Sequence, residues 1–501
     1  MSGPASRLIL SAAPRGAGLF TLDAAAWAAL PAALRQEPEL ELMALWADGA
    51  WVHAAFRSAA APAPVVASLM VEGDRFPALS PARPGAAWFE RAIADLWGWQ
   101  AEGGRDARPW LDHGRWAVRA PLSPAPPPRI GEPPQPVFLP AEGEGVHQFP
   151  LGPVMGSLGE PAHHRFQVLG EAIVRLELLL GYTHKGLPAL WRGQPPLRAA
   201  PLVARLSGDS TLAHSWAFAG AVERALGVEV PPRAVALRGV LAELERLANH
   251  LRDIGALSGE AGFAWPQARL GALCEVLLRA SQAAFGHRLL MDRVIPGGLA
   301  ADIAPDGREG LRAALRLVAA ELPAIRDVLE EHASLQDRIS GCGVLKPEWA
   351  SLLGAGGVVG RAAGRGFDAR RDLAYPPYDR HPPAVPQASA SDVEARLTLR
   401  WEEILVGLPL IEALLDSLPA GEVCVPLPAR GGEASFTVEG FRGEVFCWVA
   451  LDEAGLVAGC FPRDPSWLLW PLLEAAMENN ILADLPLISR SFNASVSGVD
   501  L

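Results

Sequence analysis

The stretch ALRGVLAELERLANHLRDIGAL, residues 236–257, decides how most of this chain is to be read. Its apolar positions Leu237, Leu241, Leu244, Ala248, Leu251 and Ile254 recur at steps of three and four residues. On a helix of 3.6 residues per turn, such positions form one stripe suited to burial against a neighbour. Glu243, Arg246, Asn249, Arg252 and Asp253 fall largely elsewhere and are expected on a polar face. Similar helical patterns run through 163–180, 212–226, 266–291, 307–333, 392–417 and 466–479. Several long helices with short connectors imply a helical bundle.

Working outward, the segment 434–461 (ASFTVEGFRGEVFCWVALDEAGLVAGCF) alternates apolar and polar residues and turns at Gly440 and Gly443, which reads as a β-rich interruption. The Gly-, Arg- and Pro-rich segment 341–385 is expected to be loop wrapped on the bundle. Upstream, residues 120–140 (APLSPAPPPRIGEPPQPVFLP) are too dense in proline for a helix or a central strand, so they form an extended linker or a strap. The region before that linker holds the strand-like ELMALWADGAWVHAAF and PVVASLMVEG, then a helix from Ala86 to Leu96. The expected fold is α+β: a small N-terminal α/β domain over 1–118, a Pro-rich linker over 119–145, and a mainly helical domain with a small β-rich portion over 146–501.

With 501 residues, two or three domains are expected. A formal net charge of −12 argues against a nucleic-acid partner, which needs a basic face. No run of about 18 uninterrupted apolar residues exists; Ile404 to Leu418 is broken by Pro409, Glu412 and Asp416 and reads as a core helix. The N-terminal apolar run is broken by Pro14 and Arg15, a poor signal peptide, so a cytoplasmic location is expected. Cys274, Cys342, Cys424, Cys447 and Cys460 contain no C-x-x-C pair and are expected as buried free thiols.

Specific stretches then point to a family. GPVMGSLGEPAHHRFQVLGEAIVRLELLLGYTHKGLPAL (152–190) resembles the opening of the large subunit of membrane-bound nickel–iron hydrogenases of the formate hydrogenlyase type, and the equivalent subunit of complex I. Further likeness lies in 204–226, 231–251, VIPGG (294–298), 360–379 and 463–501, in the expected order. RFPALSPARPGAAWFERAIADLWG (75–98) resembles the small hydrophilic subunit of complex I, here fused upstream.

In those hydrogenases two C-x-x-C pairs hold the nickel–iron centre. The matching positions here are Ser207 and Ser210, within Arg205–Ser210, and Ser495 and Gly498, within Asn493–Gly498. Nickel and low-valent iron favour soft thiolates, whereas serine offers a hard, neutral oxygen and glycine nothing. The resemblance therefore implies a hydrogenase-related subunit with degenerate ligand positions and no cofactor bound by this chain. The residues that match complex I's quinone-holding histidine and tyrosine are Met155 and Gly208, which puts quinone reduction by the usual residues in doubt; a quinone-like acceptor held differently stays open.

The resemblance also implies partners: an iron–sulfur small subunit, a ferredoxin-like subunit and membrane antiporter-like subunits, with this chain peripheral on the inner face of the membrane. Candidate cavity residues are His184, Asp209, His214 and Asp500, with Ser207, Ser210 and Ser497 adding polarity. Structural alternatives stand beside each. His184 can fix a turn, Asp209 or Ser210 can cap the helix that carries His214, and Asp500 can pair with Arg205 or Arg370. His163 and His164 are expected to be exposed or subunit-facing. The functional readings left open are an electron-transfer and coupling subunit, a non-catalytic scaffold, and a true hydrogen-evolving subunit with ligands from elsewhere.

Overall fold

Alternating apolar residues in the first 70 positions build a five-stranded mixed sheet, seen in a computed structural model that describes residues 3–58, 61–132, 135–155 and 159–501. Parts of the proline-rich segment (133–134) and of the 152–190 stretch (156–158) lie outside the described residues. In spatial order the strands are Ala13–Gly16, Leu19–Leu22, Ala61–Met70, Trp51–Ser58 and Glu41–Asp48. Only the second and third run parallel; the other pairings are antiparallel. The helix Ala24–Arg35 starts at Asp23, whose side chain accepts from Ala26 N at 2.7 Å. The helix Ala86–Trp97 ends on Gly98, at φ 79°.

One face of this sheet packs on a second, antiparallel sheet of strands Gly432–Gly440, Gly443–Leu451 and Val457–Arg463. Trp46 stacks parallel to Phe461 at 5.3 Å between ring centroids and sits 5.5 Å from Trp448, so large aromatic rings seal the joint.

The rest is mainly helical. Thr211–Leu226, Pro232–Glu260, Ala264–Phe285, Gly307–Glu331, Val393–Asp416 and Ser466–Met477 follow the sequence pattern closely. The 163–180 stretch does not. It forms a hairpin of His163–Leu169 and Ala172–Leu179, joined by Val146–Leu151 in a three-stranded sheet. Gly170, at φ 61°, makes the reversal that a helix could not survive, and the apolar residues Phe166 and Val168 line one face at a step of two. The expected loop over 341–385 contains three short helices, Pro347–Leu352, Gly357–Ala362 and Ala369–Asp372. Of the cysteines, Cys274, Cys342 and Cys447 are buried, Cys460 is half-buried, and Cys424 is exposed, contrary to expectation.

The helix Pro232–Glu260 departs from the simple stripe. Glu243, Arg246, Asn249 and Asp253 are buried together with the apolar residues, and only Arg252 of the expected polar face is exposed. The face is polar because it meets charge. Arg246 donates to the carbonyls of Glu439 and Gly440 at 2.7 and 3.0 Å. Arg370 bonds Glu243 and Asp368, while Arg361 bonds Glu403 and Glu439. From the N-terminal sheet, Arg57 bonds Glu444 at 2.7 Å, and Arg365 bonds Glu41 at 2.5 Å.

Removing one partner from such a lattice strands its counter-charges away from water. Arg361→Ala is expected to lower stability by about 3–5 kcal/mol. Arg279→Ala, in an exposed pair with Glu275, is expected to leave the unfolding midpoint unmoved. Denaturant unfolding of the two variants checks the contrast.

Candidate functional site

Two segments far apart in sequence meet at one end of the helical region. The loop before Thr211–Leu226 brings Ser207, Gly208 and Asp209; the turn after the helix Leu485–Phe492 brings Asn493 to Val496. Asn493 takes the left-handed conformation (φ 49°) that ends this helix, a role asparagine tolerates. Between them lies a cavity of about 310 Å³, closed further by Glu160, His164, Arg442, Trp470 and Arg490.

Hydrogen bonds tie its two walls together. Ser207 Oγ lies 2.9 Å from Asp209 Oδ1 and 3.0 Å from Ser495 Oγ. Ser495 Oγ donates to Glu160 Oε2 at 3.2 Å and accepts from Gly498 N at 3.0 Å. Glu160 also accepts from Val496 N and Ser497 N at 2.6 and 3.1 Å. Trp470 Nε1 donates to the Ser495 carbonyl at 3.0 Å. A run of rotatable hydroxyls thus links two carboxylates, Asp209 and Glu160.

Asp209 is held bidentately by Arg442 at 2.7 and 2.5 Å, and Arg252 adds a contact at 3.4 Å. Burial alone raises its affinity for a proton, but Arg442, with Arg252 and the Ser207 hydroxyl, outweighs burial and keeps the carboxyl well below the usual carboxylate range. Arg442 comes from the tip of the hairpin Gly432–Gly440/Gly443–Leu451, where its Nε also bonds the Asn493 carbonyl.

The expected residues divide into three groups. Ser207, Asp209 and Ser495 meet at the cavity. Behind it, His214 Nε2 bonds Asp464 Oδ2 at 2.9 Å, both fully buried. Burial pushes the Asp464 carboxyl up, but the His214 contact, Arg442 and the Ser466 side chain together bring it below its ordinary value; the Ser466 amide also bonds it, at 2.8 Å. Gly498 packs on this same aspartate, and a Cβ there would lie 2.7 Å from Asp464 Cγ. Ser210 Oγ is buried without a hydrogen-bond partner among the described residues. Neither Ser210 nor the Asp209 side chain caps the following helix; Glu245 accepts from Leu212 N and Ala213 N instead, at 2.8 and 3.2 Å.

His184 and Asp500 form a separate cluster. Asp500 accepts from Gly181 N, Thr183 N and Thr183 Oγ1 at 2.7–2.8 Å, not from an arginine. Arg205 pairs with Asp292 and Arg370 with Asp368 and Glu243, which rules out both anticipated partners. Burial lifts the Asp500 carboxyl to about 6 against those three donors. His184 Nδ1 lies 2.5 Å from the Asp500 carbonyl, and its ring stacks on Trp116. His184 therefore ties the chain's last residues to a turn. His164 lines the cavity and is buried; burial pushes its imidazole down to about 4, so it is neutral, not an exposed histidine.

Glu160, Arg442, Asp464 and Trp470 were not foreseen. Arg442 carries a local signal, a lone charge at a two-residue hairpin tip flanked by glycines; for Glu160 none exists, because only the fold brings residue 160 to residue 496.

The donor set does not fit a nickel–iron centre. Ser207 and Ser495 present neutral oxygens already shared with carboxylates, Ser210 stands off the cavity wall, and Gly498 has neither a donor nor room for one.

The description "Respiratory-chain NADH dehydrogenase, 49 Kd subunit" matches residues 268–430. The chain is 28% identical over 360 residues to a carbon monoxide-induced hydrogenase of Rhodospirillum rubrum, covering 70% of this chain and 98% of that one. It is 28% identical over 441 residues to formate hydrogenlyase subunit 5 of Escherichia coli, covering 85% and 77%. Among solved structures, a chain of the membrane-bound sulfane sulfur reductase, an archaeal respiratory membrane complex, superposes with a TM-score of 0.68 at 25% identity, covering 71% of this chain and 99% of that one. Over its C-terminal part, the chain matches the complex I 49-kDa and nickel–iron hydrogenase large-subunit family.

In this large-subunit fold the Asp209–Arg442 pair fixes the cavity wall. Because the folded state holds Asp209 below its unfolded value, the pair's contribution is full above about pH 4 and fades only as pH falls through the depressed value. Asp209→Asn is expected to cost about 3 kcal/mol, unchanged between pH 5 and 8 and shrinking in stronger acid. Paired unfolding curves across pH check the sign.

Proposed function

We propose that this chain is the large subunit of a membrane-bound respiratory complex of the complex I and energy-converting hydrogenase kind, working without a nickel–iron centre. It takes electrons from a partner iron–sulfur subunit, itself fed by a ferredoxin-like subunit, and couples their transfer to ion movement through antiporter-like membrane subunits. The chain lies against the inner face of the membrane through those partners; no helix among its described residues is long and apolar enough to cross one. The fused small hydrophilic subunit at residues 1–118 accords with the rise in coverage from 70% to 85% when the relative is the longer formate hydrogenlyase subunit.

The observation that carries this reading is the cavity itself. Where the resemblance places four thiolates, hydroxyls of Ser207 and Ser495 stand 3.0 Å apart, bridged to Asp209 and Glu160. Such a wall suits an acceptor whose reduction draws protons, as quinone-like carbonyl oxygens do. A scaffold that had lost all chemistry is expected to fill the space with apolar side chains; about 310 Å³ lined by converging polar groups favours a working site.

The test is elemental analysis of the purified intact complex, with hydrogen-dependent dye reduction and electron transfer to quinone and sulfane sulfur acceptors. Substoichiometric nickel, no hydrogen activity and reduction of one acceptor class are expected. Stoichiometric nickel with hydrogen activity would overturn the reading.

A further inference from the structure

The cavity's Arg442 stands at the end of a hairpin that carries two buried carboxyl groups just behind it. Glu439 and Glu444 are direct partners in the antiparallel register, one pair away from the Gly440–Gly443 pair that closes the turn. Direct partners point to the same face with Cβ atoms about 5 Å apart, and like charges so placed are destabilising. Here both are buried, at 3% and 1% exposure, so water cannot screen them. Two buried carboxyls on neighbouring positions raise one another's affinity for a proton.

The surroundings decide which member keeps it. Glu444 faces the N-terminal sheet and meets several cations: Arg57 at 2.7 Å, shared with Glu41 at 3.0 Å, and Arg463 at 3.6 Å, with Arg365 near. Burial opposes ionisation there, but those guanidinium groups win and hold Glu444 below its ordinary value. Glu439 has no cation of its own. Arg361 Nη1 lies 3.1 Å from Glu439 Oε1 and 3.4 Å from Asp368 Oδ2, and the Nη2 of the same guanidinium serves Glu403. Arg246, across the hairpin, spends its Nη hydrogens on the carbonyls of Glu439 and Gly440. The other Glu439 oxygen accepts from Ala369 N at 2.9 Å, and Arg370 on that segment is committed to Asp368 and Glu243. Burial first, then the Asp368 charge, push Glu439 up to about 7, with Arg361 pulling the other way and Glu444 adding to the rise.

Tyr375 and His250 also stand beside the hairpin as titratable groups. The Tyr375 hydroxyl accepts from Glu439 N at 3.0 Å, and burial raises it above its ordinary value, so it stays neutral. The His250 Nε2 lies 2.9 Å from Glu403 Oε2, and its Nδ1 is buried with no partner among the described residues. Charging the ring would leave an N–H unsatisfied in the core, so burial keeps His250 below its ordinary value despite Glu403. The spare proton of the lattice therefore belongs to Glu439.

We propose that the Glu439–Glu444 pair is a one-proton store behind the cavity, and that Glu439 takes up or releases its proton as charge changes at the Arg442 end of the hairpin. The linkage to redox rests on the proposed function; the store itself does not. When one electron from the partner iron–sulfur subunit reduces an acceptor in the cavity, the added negative charge lies a few residues from Glu439 in a poorly screened interior. One proton from solvent then forms an O–H bond on the ionised fraction of Glu439, so the charge added is matched by the charge taken up. Reoxidation releases the same proton. Glu439 is a positioning residue for charge and does not touch the acceptor.

Infrared spectroscopy of the full chain over pH 5–9 tests the store, because a protonated buried carboxyl has its own C=O stretching band. Asp500, Glu474 and Glu245 are also buried carboxyls raised into this range. The readout is therefore the difference between wild type and Glu439→Gln, where a component that fades with a midpoint of about 7 is expected. In Glu444→Gln the like charge is gone, and the midpoint is expected to fall. A merely structural Glu439 would move neither. No such component in the difference spectrum of the folded variant overturns the proposal; should Glu439→Gln fail to fold, a band whose titration is unmoved in Glu444→Gln overturns it instead. In the intact complex at pH 7.5, chemical reduction is expected to strengthen the band. A band that titrates but ignores reduction removes the coupling, whereas stoichiometric nickel in the same preparation would instead sink the functional reading and leave the store standing.

Discussion

Arg57 and Glu444 meet at 2.7 Å inside the molecule, each about 2% exposed, and they join the first sheet of the chain to the last. Neither charge can be left alone in the interior, since a buried ion without its partner costs several kcal/mol. The same requirement passes outward through Arg463, Arg365 and Glu41 on one side and through Arg361, Glu403 and Arg246 on the other. The N-terminal unit is therefore not a bead on a proline string. Its sheet is held against the hairpin Gly432–Gly440/Gly443–Leu451 by charge as well as by Trp46, Phe461 and Trp448.

From that constraint the cavity follows. The hairpin cannot slide without unpairing Glu444, so its tip places Arg442 where it clamps Asp209. The loop holding Asp209 is fixed from a third direction, because Asn249 of the Pro232–Glu260 helix donates to the Asp209 carbonyl at 2.8 Å. Asn493, on the opposite wall, donates to Asp253 of the same helix at 2.9 Å. One helix thus supports both walls through residues four apart on its charged face.

Those residues show where the sequence could and could not be read. The stripe Leu237–Ile254 announced a helix, and six of the helical patterns stand where periodicity put them. Period alone also suggested a solvent-facing side for Glu243, Arg246 and Asp253, because their counter-charges at 370, 403 and 400 lie far along the chain. The hairpin at 163–179 was mistaken for helix for the complementary reason: its apolar residues satisfy both periods over a short run, and only Gly170 told against it. At the site, Ser207, Asp209 and Ser495 were legible through likeness to a family. The separation of His184 and Asp500 from them was not, since it depends on how residues 495–501 turn back toward 181–186.

The charge balance of the cavity bears on why hydroxyls can stand there. Thiolates at four positions would be a dense negative charge that only a bound cation could hold in so buried a place. With Ser207 and Ser495 in their stead, every remaining ionised group has a partner within the protein. Asp209 has Arg442, Asp464 has His214 and the Ser466 amide, and Glu160 has the amides of Val496 and Ser497. Each of these anions is thus compensated within the protein. What the cavity offers an incoming molecule is a set of donors and acceptors on rigid supports, with the buried Glu245 carboxyl close behind Asp209 and the hairpin carboxyls further back behind Arg442.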